Sequence, residues 1–158
     1  MKPAAYQDIQ PEELPLLTLN DGGRVKVIAG TAQTEGRAVP GPIQGLSTEP
    51  LFLDVRLPSG GHFDHPVAQG HSAFVYLYEG LAEIGPIAEA TQPLALHAVG
   101  VLSDRDRVEV HAGKEGATFL VLAAKPIREP VVQYGPFVMN TRDEIEQALA
   151  DYRNGQLV

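Results

Sequence analysis

The sequence predicts an all-β fold, a jelly-roll sandwich or barrel, followed by one C-terminal α-helix. Three observations carry this expectation. The chain has 16 glycines and 13 prolines in 158 residues, too many turn formers for a helical bundle. Short segments with strand-like patterning recur along it, separated by turn residues. One stretch near the C-terminus has helical spacing and a capping box. The length suits one domain over 1–158, with an N-terminal arm over 1–20 and the helix within 141–154.

Gln10-Pro11-Glu12-Glu13-Leu14-Pro15 can form a single helical turn, because proline is tolerated at the first position. Arg24 to Ala29 reads as a strand. Thr31 to Glu49 is polar, rich in Gly and Pro and aperiodic, and reads mostly as a long surface loop. In the 51–57 strand, Leu51, Leu53, Val55 and Leu57 share one face, with Asp54 and Arg56 on the other. Phe74–Tyr78 and Leu81–Ile84 read as two strands joined by a Glu79-Gly80 hairpin turn, with Gly80 supplying the positive φ. Val99–Leu102, Val108–His111 and Thr118–Ala123 are further short strands.

The helix runs from about Arg142 to Arg153. Thr141 is the N-cap, and Glu144 completes the capping box three residues later. Asp143, Glu144 and Arg153 complement the helix dipole. Ile145, Ala148, Leu149 and Tyr152 form an apolar stripe expected to pack on the outside of the barrel, and Asn154-Gly155 ends the helix.

Composition narrows the function. Without cysteine there is no disulfide, thiolate metal site or cysteine nucleophile. A net charge of −8 argues against direct nucleic-acid binding, which needs a basic surface. The opening residues carry no apolar run like that of a signal peptide. No segment approaches the roughly 20 apolar residues of a membrane span, so a cytoplasmic location is expected.

The block Glu129-Pro130-Val131-Val132-Gln133-Tyr134-Gly135-Pro136-Phe137-Val138-Met139-Asn140-Thr141-Arg142-Asp143-Glu144-Ile145-Glu146 resembles the signature near the end of pirin-like proteins. So do Asp54-Val55-Arg56-Leu57-Pro58, Phe74-Val75-Tyr76-Leu77-Tyr78-Glu79-Gly80 and the opening Tyr6-Gln7-Asp8-Ile9. Pirin-like proteins consist of two tandem cupin barrels, and the resemblance is to the second. It implies a single cupin domain, a jelly-roll β-barrel (a double-stranded β-helix). It also implies that the family's metal ligands, with its quercetin 2,3-dioxygenase activity, belong to the first barrel. Transcription-cofactor binding is likewise a property of the two-barrel protein.

Metal-binding cupins hold their ion with three histidines and a carboxylate. Two of those histidines stand two apart on one strand, because residues i and i+2 point the same way. Counting back from Gly80 places these positions on Pro66 and Ala68, or on Val67 and Gln69, with the carboxylate position near Ser72-Ala73. Against the pirin first-barrel motif, roughly Pro-His-Pro-His-Arg-Gly, the chain reads His65-Pro66-Val67-Ala68-Gln69-Gly70. The last ligand is expected after the Asp104-Arg105-Asp106 turn, near Gly116-Ala117, and His111 lies about five residues too early.

The remaining polar residues suggest no site. His62 and His65 read as surface residues in a loop, since Gly60-Gly61 and Pro66 flank them; on a strand they would point to opposite faces. His71 reads as making a structural hydrogen bond, and His97 as a strand histidine. Glu79 and Glu83 read as exposed residues flanking the hairpin, and Tyr76 and Tyr78 as one sheet face. Ser47, Ser59, Ser72 and Ser103 lack a nucleophile-elbow context.

The expectation is therefore a metal-free structural or interaction module, with no catalytic, cofactor-binding or metal-ligating residue and no cofactor. The alternatives are a small-ligand-binding cupin, or part of a dioxygenase-like protein whose site lies in the other barrel. An enzyme with an unconventional site from His62, His65 and His71 is the remaining possibility. The expected partner is a second copy in a homodimer, with residues 131–139 as a contributor, or an N-terminal cupin barrel.

Overall fold

The structure, a computed structural model, describes residues 6–103 and 106–156. The chain divides into two compact units, Met1–Pro126 and Ile127–Val158.

Among the described residues of the first unit a 3-10 turn (Pro11–Glu13) leads into ten strands: β1 (Leu16–Thr18), β2 (Arg24–Ala29), β3 (Thr31–Thr34), β4 (Arg37–Pro40), β5 (Leu51–Leu57), β6 (His62–Pro66), β7 (Ser72–Ile84), β8 (Gln92–Leu94), β9 (Val99–Val101) and β10 (Arg107–Ala124). The main sheet has the order β1-β2-β5-β10-β7-β8, with β6 paired to β10 and β9 to β7, while β3 and β4 form a separate hairpin. The named strand pairings are antiparallel, as expected for an all-β jelly roll.

Alternation builds the core. Leu53, Val55 and Leu57 of β5 point inward, as their spacing predicts, and meet Val25 and Val27 of β2. Val75 and Leu77 of β7 and Val108, Val110, Phe119 and Val121 of β10 complete the interior, with Phe63 edge-on to Phe119 at 5.9 Å between centroids.

Four local expectations are corrected. The 31–49 segment is not mostly loop, because Thr31–Thr34 and Arg37–Pro40 pair as a hairpin. Its turn hid from the pattern: Glu35 and Gly36 both take positive φ, and the strands are too short and polar to show alternation. His62–Pro66 is a strand, because β10 offers it a continuous ladder from His111 to Arg107.

Glu79-Gly80 is not a hairpin turn. β7 runs unbroken for 13 residues, and Gly80 (φ 78°) sits beside a register shift against β10. The two short strands read at 108–111 and 118–123 are likewise one 18-residue strand. This long strand pairs with β6 and the far end of β7 before the irregularity between Ala112 and Ala117, and with β5 and the near end of β7 after it. Gly116 takes φ 78° within that irregularity. A Cβ on Gly80 would lie 2.2 Å from the Gly116 carbonyl oxygen, so both glycines let two backbones approach at the bend.

In the second unit β11 (Val132–Tyr134) pairs with β12 (Phe137–Met139), and α1 (Arg142–Arg153) lies against both. Thr141 accepts from the Glu144 N–H, and Glu144 accepts from the Thr141 N–H, as the capping box predicts. Ile145 and Ala148 are the buried members of the stripe, Leu149 is half-buried and Tyr152 is exposed with its ring edge-on to Phe137. Among the described residues no helix is long and apolar enough to cross a membrane.

Candidate functional site

β6 separates the two histidines that the sequence placed together. Phe63 and His65 point into the barrel, and His62 and Asp64 point out. His65 is therefore not a surface residue, since only 2% of it is exposed. Its Nε2 accepts the Gln33 N–H at 2.9 Å, so in the neutral ring the proton sits on Nδ1. That Nδ1 is buried and has no hydrogen-bond partner. Burial is the largest influence on the ring and lowers its pKa, against backbone groups of Pro66 and Thr31 that raise it.

His65 lines a cavity of about 280 Å³ between β3, the segment leading into β5 and the segment leading into β7. His71 and Glu49 also line it. The His71 side chain is 8% exposed, with Nε2 3.8 Å from the Glu49 carboxylate: an ion-pair distance rather than the expected ring hydrogen bond. The cavity is thus lined by a buried imidazole whose Nδ1 makes no hydrogen bond, a second imidazole and a carboxylate. Such a set suits a small molecule carrying a hydrogen-bond acceptor.

The positions counted as metal ligands do not line the interior as pairs. Val67 and Ala73 are buried, whereas Ala68, Gln69 and Ser72 are exposed. Ala117 is buried and apolar at the place expected for the last ligand. Asp104 and Arg105 of the expected turn lie outside the described residues.

A second polar cluster lies on the outer face. His62 of β6 and His111 of β10 stand directly opposite each other, their rings stacked with centroids 4.6 Å apart. Glu109 is two residues before His111 on the same face, with a carboxylate oxygen 4.0 Å from the His62 Nε2. One potential ligand atom from each of His62, Glu109 and His111 lies within 4.8 Å of the others. His111 Nε2 is 3.1 Å from the Gly85 carbonyl oxygen, and the Gly85 N–H donates to the Glu109 carbonyl at 2.9 Å. Next along the face, Arg107 grips Asp64 through two hydrogen bonds, which chiefly raise the guanidinium pKa.

The other predicted residues do not converge on either cluster. His97 lies in a turn with φ 60°, not in a strand, and its N–H donates to Leu77. Glu79 and Glu83 are on the continuous β7, where Glu79 accepts from Thr118 and Glu83 from Thr91. Tyr76 and Tyr78 share a face, as expected, with ring centroids 6.5 Å apart. The Tyr78 hydroxyl donates to Asp54 at 2.7 Å, and burial followed by this hydrogen bond raises its pKa. Sequence reasoning missed both the burial of His65 and the pairing of His62 with His111. The alternation of Phe63, His65 and Val67 could have revealed the first. The second depends on strand register between segments distant in the chain.

The fold and its inward-facing strands define a cupin, and comparison with known proteins places it further. Residues 52–158 match the family model of the pirin C-terminal cupin domain, and the chain belongs to that family. It is 44% identical to a Pseudomonas aeruginosa protein named "Putative quercetin 2,3-dioxygenase", over 99% of this chain and 54% of the relative. It is 38% identical to mouse pirin, over 96% of this chain and 50% of that protein. A crystal structure of quercetin 2,3-dioxygenase from Acinetobacter baumannii superimposes with a TM-score of 0.80 at 30% identity, covering 99% of this chain and 52% of that one. The chain thus spans about half the length of the curated relatives it matches.

Proposed function

We propose that this chain is a structural and interaction cupin module of a pirin-like protein, with no catalytic metal centre inside its own barrel. The observation that supports this reading is the chemistry of the interior. Among the described residues the buried polar side chains are Thr34, His65 and Thr118, and the rest of the core is apolar. Transition-metal sites in proteins use three or four N, O or S donors converging on one point. His65, His71 and Glu49 line one cavity, but among the described residues they do not bring one ligand atom each within 4.8 Å of one another, and the His65 Nε2 is already engaged. The oxygenase chemistry named for the relatives would then belong to a second barrel.

Oxygen uptake by the purified chain with quercetin tests this, in the presence of Fe²⁺, Ni²⁺, Co²⁺ or Cu²⁺. No uptake above the metal-only rate is expected. Turnover that disappears in His65→Gln would overturn the proposal.

A second reading, small-ligand binding, is favoured by the 280 Å³ cavity lined by His65, whose buried Nδ1 makes no hydrogen bond, together with His71 and Glu49. A buried donor left unsatisfied costs about 1–3 kcal/mol, which an acceptor on a ligand would recover. Thermal-shift screening with small carbonyl and hydroxyl compounds checks it. A stabilising compound should lose its effect in His65→Phe, and retention of the full shift would place binding elsewhere.

A further inference from the structure

We propose that His62, Glu109 and His111 form a transition-metal site on the outer face of the barrel, best suited to Zn²⁺. The site is separate from the interior, since β6 points His62 outward and His65 inward. It goes beyond the reading of the chain as an interaction module and does not depend on it.

His62 and His111 are direct cross-strand partners, and Glu109 precedes His111 by two, so all three side chains emerge from one face. Two imidazoles and one carboxylate are a borderline donor set that fits zinc, and three protein ligands leave a fourth position for water. Metal–ligand bonds of about 2.0–2.2 Å place tetrahedral donors roughly 3.3–3.6 Å apart. The three ligand atoms lie within 4.8 Å of one another, with His62 Nε2 and the Glu109 oxygen 4.0 Å apart, so the site closes when the His62 ring turns out of its stack on His111 and aims its lone pair at the shared ion. His62 has room to turn, being 48% exposed.

The surroundings match the donor roles. His111 donates its Nε2–H to the Gly85 carbonyl, which leaves Nδ1 with the free lone pair. A metal-ligating imidazole typically donates its other N–H to a backbone carbonyl or carboxylate, which fixes its tautomer and its ring plane. The Gly85 N–H in turn holds the Glu109 backbone, so one residue braces two of the three ligands. Arg107, the neighbouring cation, is engaged by Asp64, so it does not claim the Glu109 carboxylate. Without a metal, two imidazole rings stack face to face beside a carboxylate. A divalent cation would use both ring lone pairs and the negative charge together.

Zinc titration of the untagged chain, followed by calorimetry and by the ring ¹H–¹⁵N resonances of its five histidines, tests the site. One zinc per chain is expected, with the largest shifts at His62 and His111. His62→Ala and Glu109→Gln should each weaken binding by about tenfold or more, and His97→Ala should not change it. Both substitutions are on an exposed face, and unchanged circular dichroism and melting would show that the variants remain folded. No binding at millimolar zinc would overturn the proposal, as would undiminished affinity in His62→Ala. Zinc that shifts His65 or His71 instead would also overturn it, and would count against the metal-free interior as well. Failure at His62 alone leaves the interior reading untouched.

Discussion

At the residue scale, His65 makes stability depend on pH. Its folded pKa lies below the unfolded value of about 6.5, so between the two the unfolded chain binds more protons. The stability held above about pH 6.5 is therefore lost progressively as pH falls through that window. Urea midpoints at pH 7.5 and 5.5 should show a drop in the wild type and a smaller one in His65→Gln, and equal drops would assign the effect to other groups. Gly80 allows a second prediction. Its φ of 78° and the 2.2 Å approach of an added Cβ to the Gly116 oxygen leave no room for a side chain. Gly80→Ala should cost about 2 kcal/mol or more, measured by denaturant unfolding. The sequence showed that Gly80 needs a positive φ but not why. A glycine in a hairpin turn and a glycine at a bend in a long strand share the same local signature. What separates them is the partner strand, whose Gly116 lies far along the chain. The same limit hid the site pairing: His62 and His111 each looked unremarkable until strand register set them face to face.

At the element scale, the C-terminal helix was the most legible part of the chain. Its cap and stop are local and appear where the residues require them, while of its stripe Ile145 and Ala148 are buried and Tyr152 is exposed. Thr141→Ala should lower stability by about 1 kcal/mol through the lost cap. Ile145, at 6% exposure, carries more of the packing than the half-buried Leu149. Ile145→Ala should cost about 2–4 kcal/mol. Because residues 127–158 form their own compact unit, amide hydrogen exchange across the helix is the appropriate measurement. Unchanged helix protection in both variants would mean that neither contact supports α1. The short strands β1, β8 and β9 were harder to read. Three residues cannot show a period of two, and such strands are fixed by the ladder they join.

At the scale of the whole molecule, the outward side of the main sheet is more apolar than a solvated face requires. Register aligns Phe52, Leu122, Phe74 and Val101 in one row across β5, β10, β7 and β9, with Leu120, Tyr76 and Val99 beside them. Val101 is 81% exposed. In the second unit Val131, Tyr134 and Val138 are exposed as well, within the 131–139 segment expected to contribute to a dimer. We expect the chain to self-associate as a two-fold dimer through one of these surfaces, because twofold pairing of like patches closes most simply. Light scattering over a concentration series checks it: a mass fixed at 17.0 kDa up to high micromolar protein would rule the dimer out. Val101→Glu should dissociate a dimer built on the sheet, and Val138→Glu one built on the hairpin, with the fold intact in both.

The single long strand β10 also governs how the molecule is made. It hydrogen-bonds to β5, β6 and β7, all of which precede it in the chain. A ribosome releasing this polypeptide from its N-terminus therefore exposes those three strands with unfilled ladders until residues 107–124 emerge. Contacts so distant in sequence slow folding, and unpaired apolar strands invite association with other nascent chains. Translation halted just before β10 should yield an aggregating or chaperone-held product. Translation continued past Ala124 should release a protease-resistant barrel in a single cooperative step.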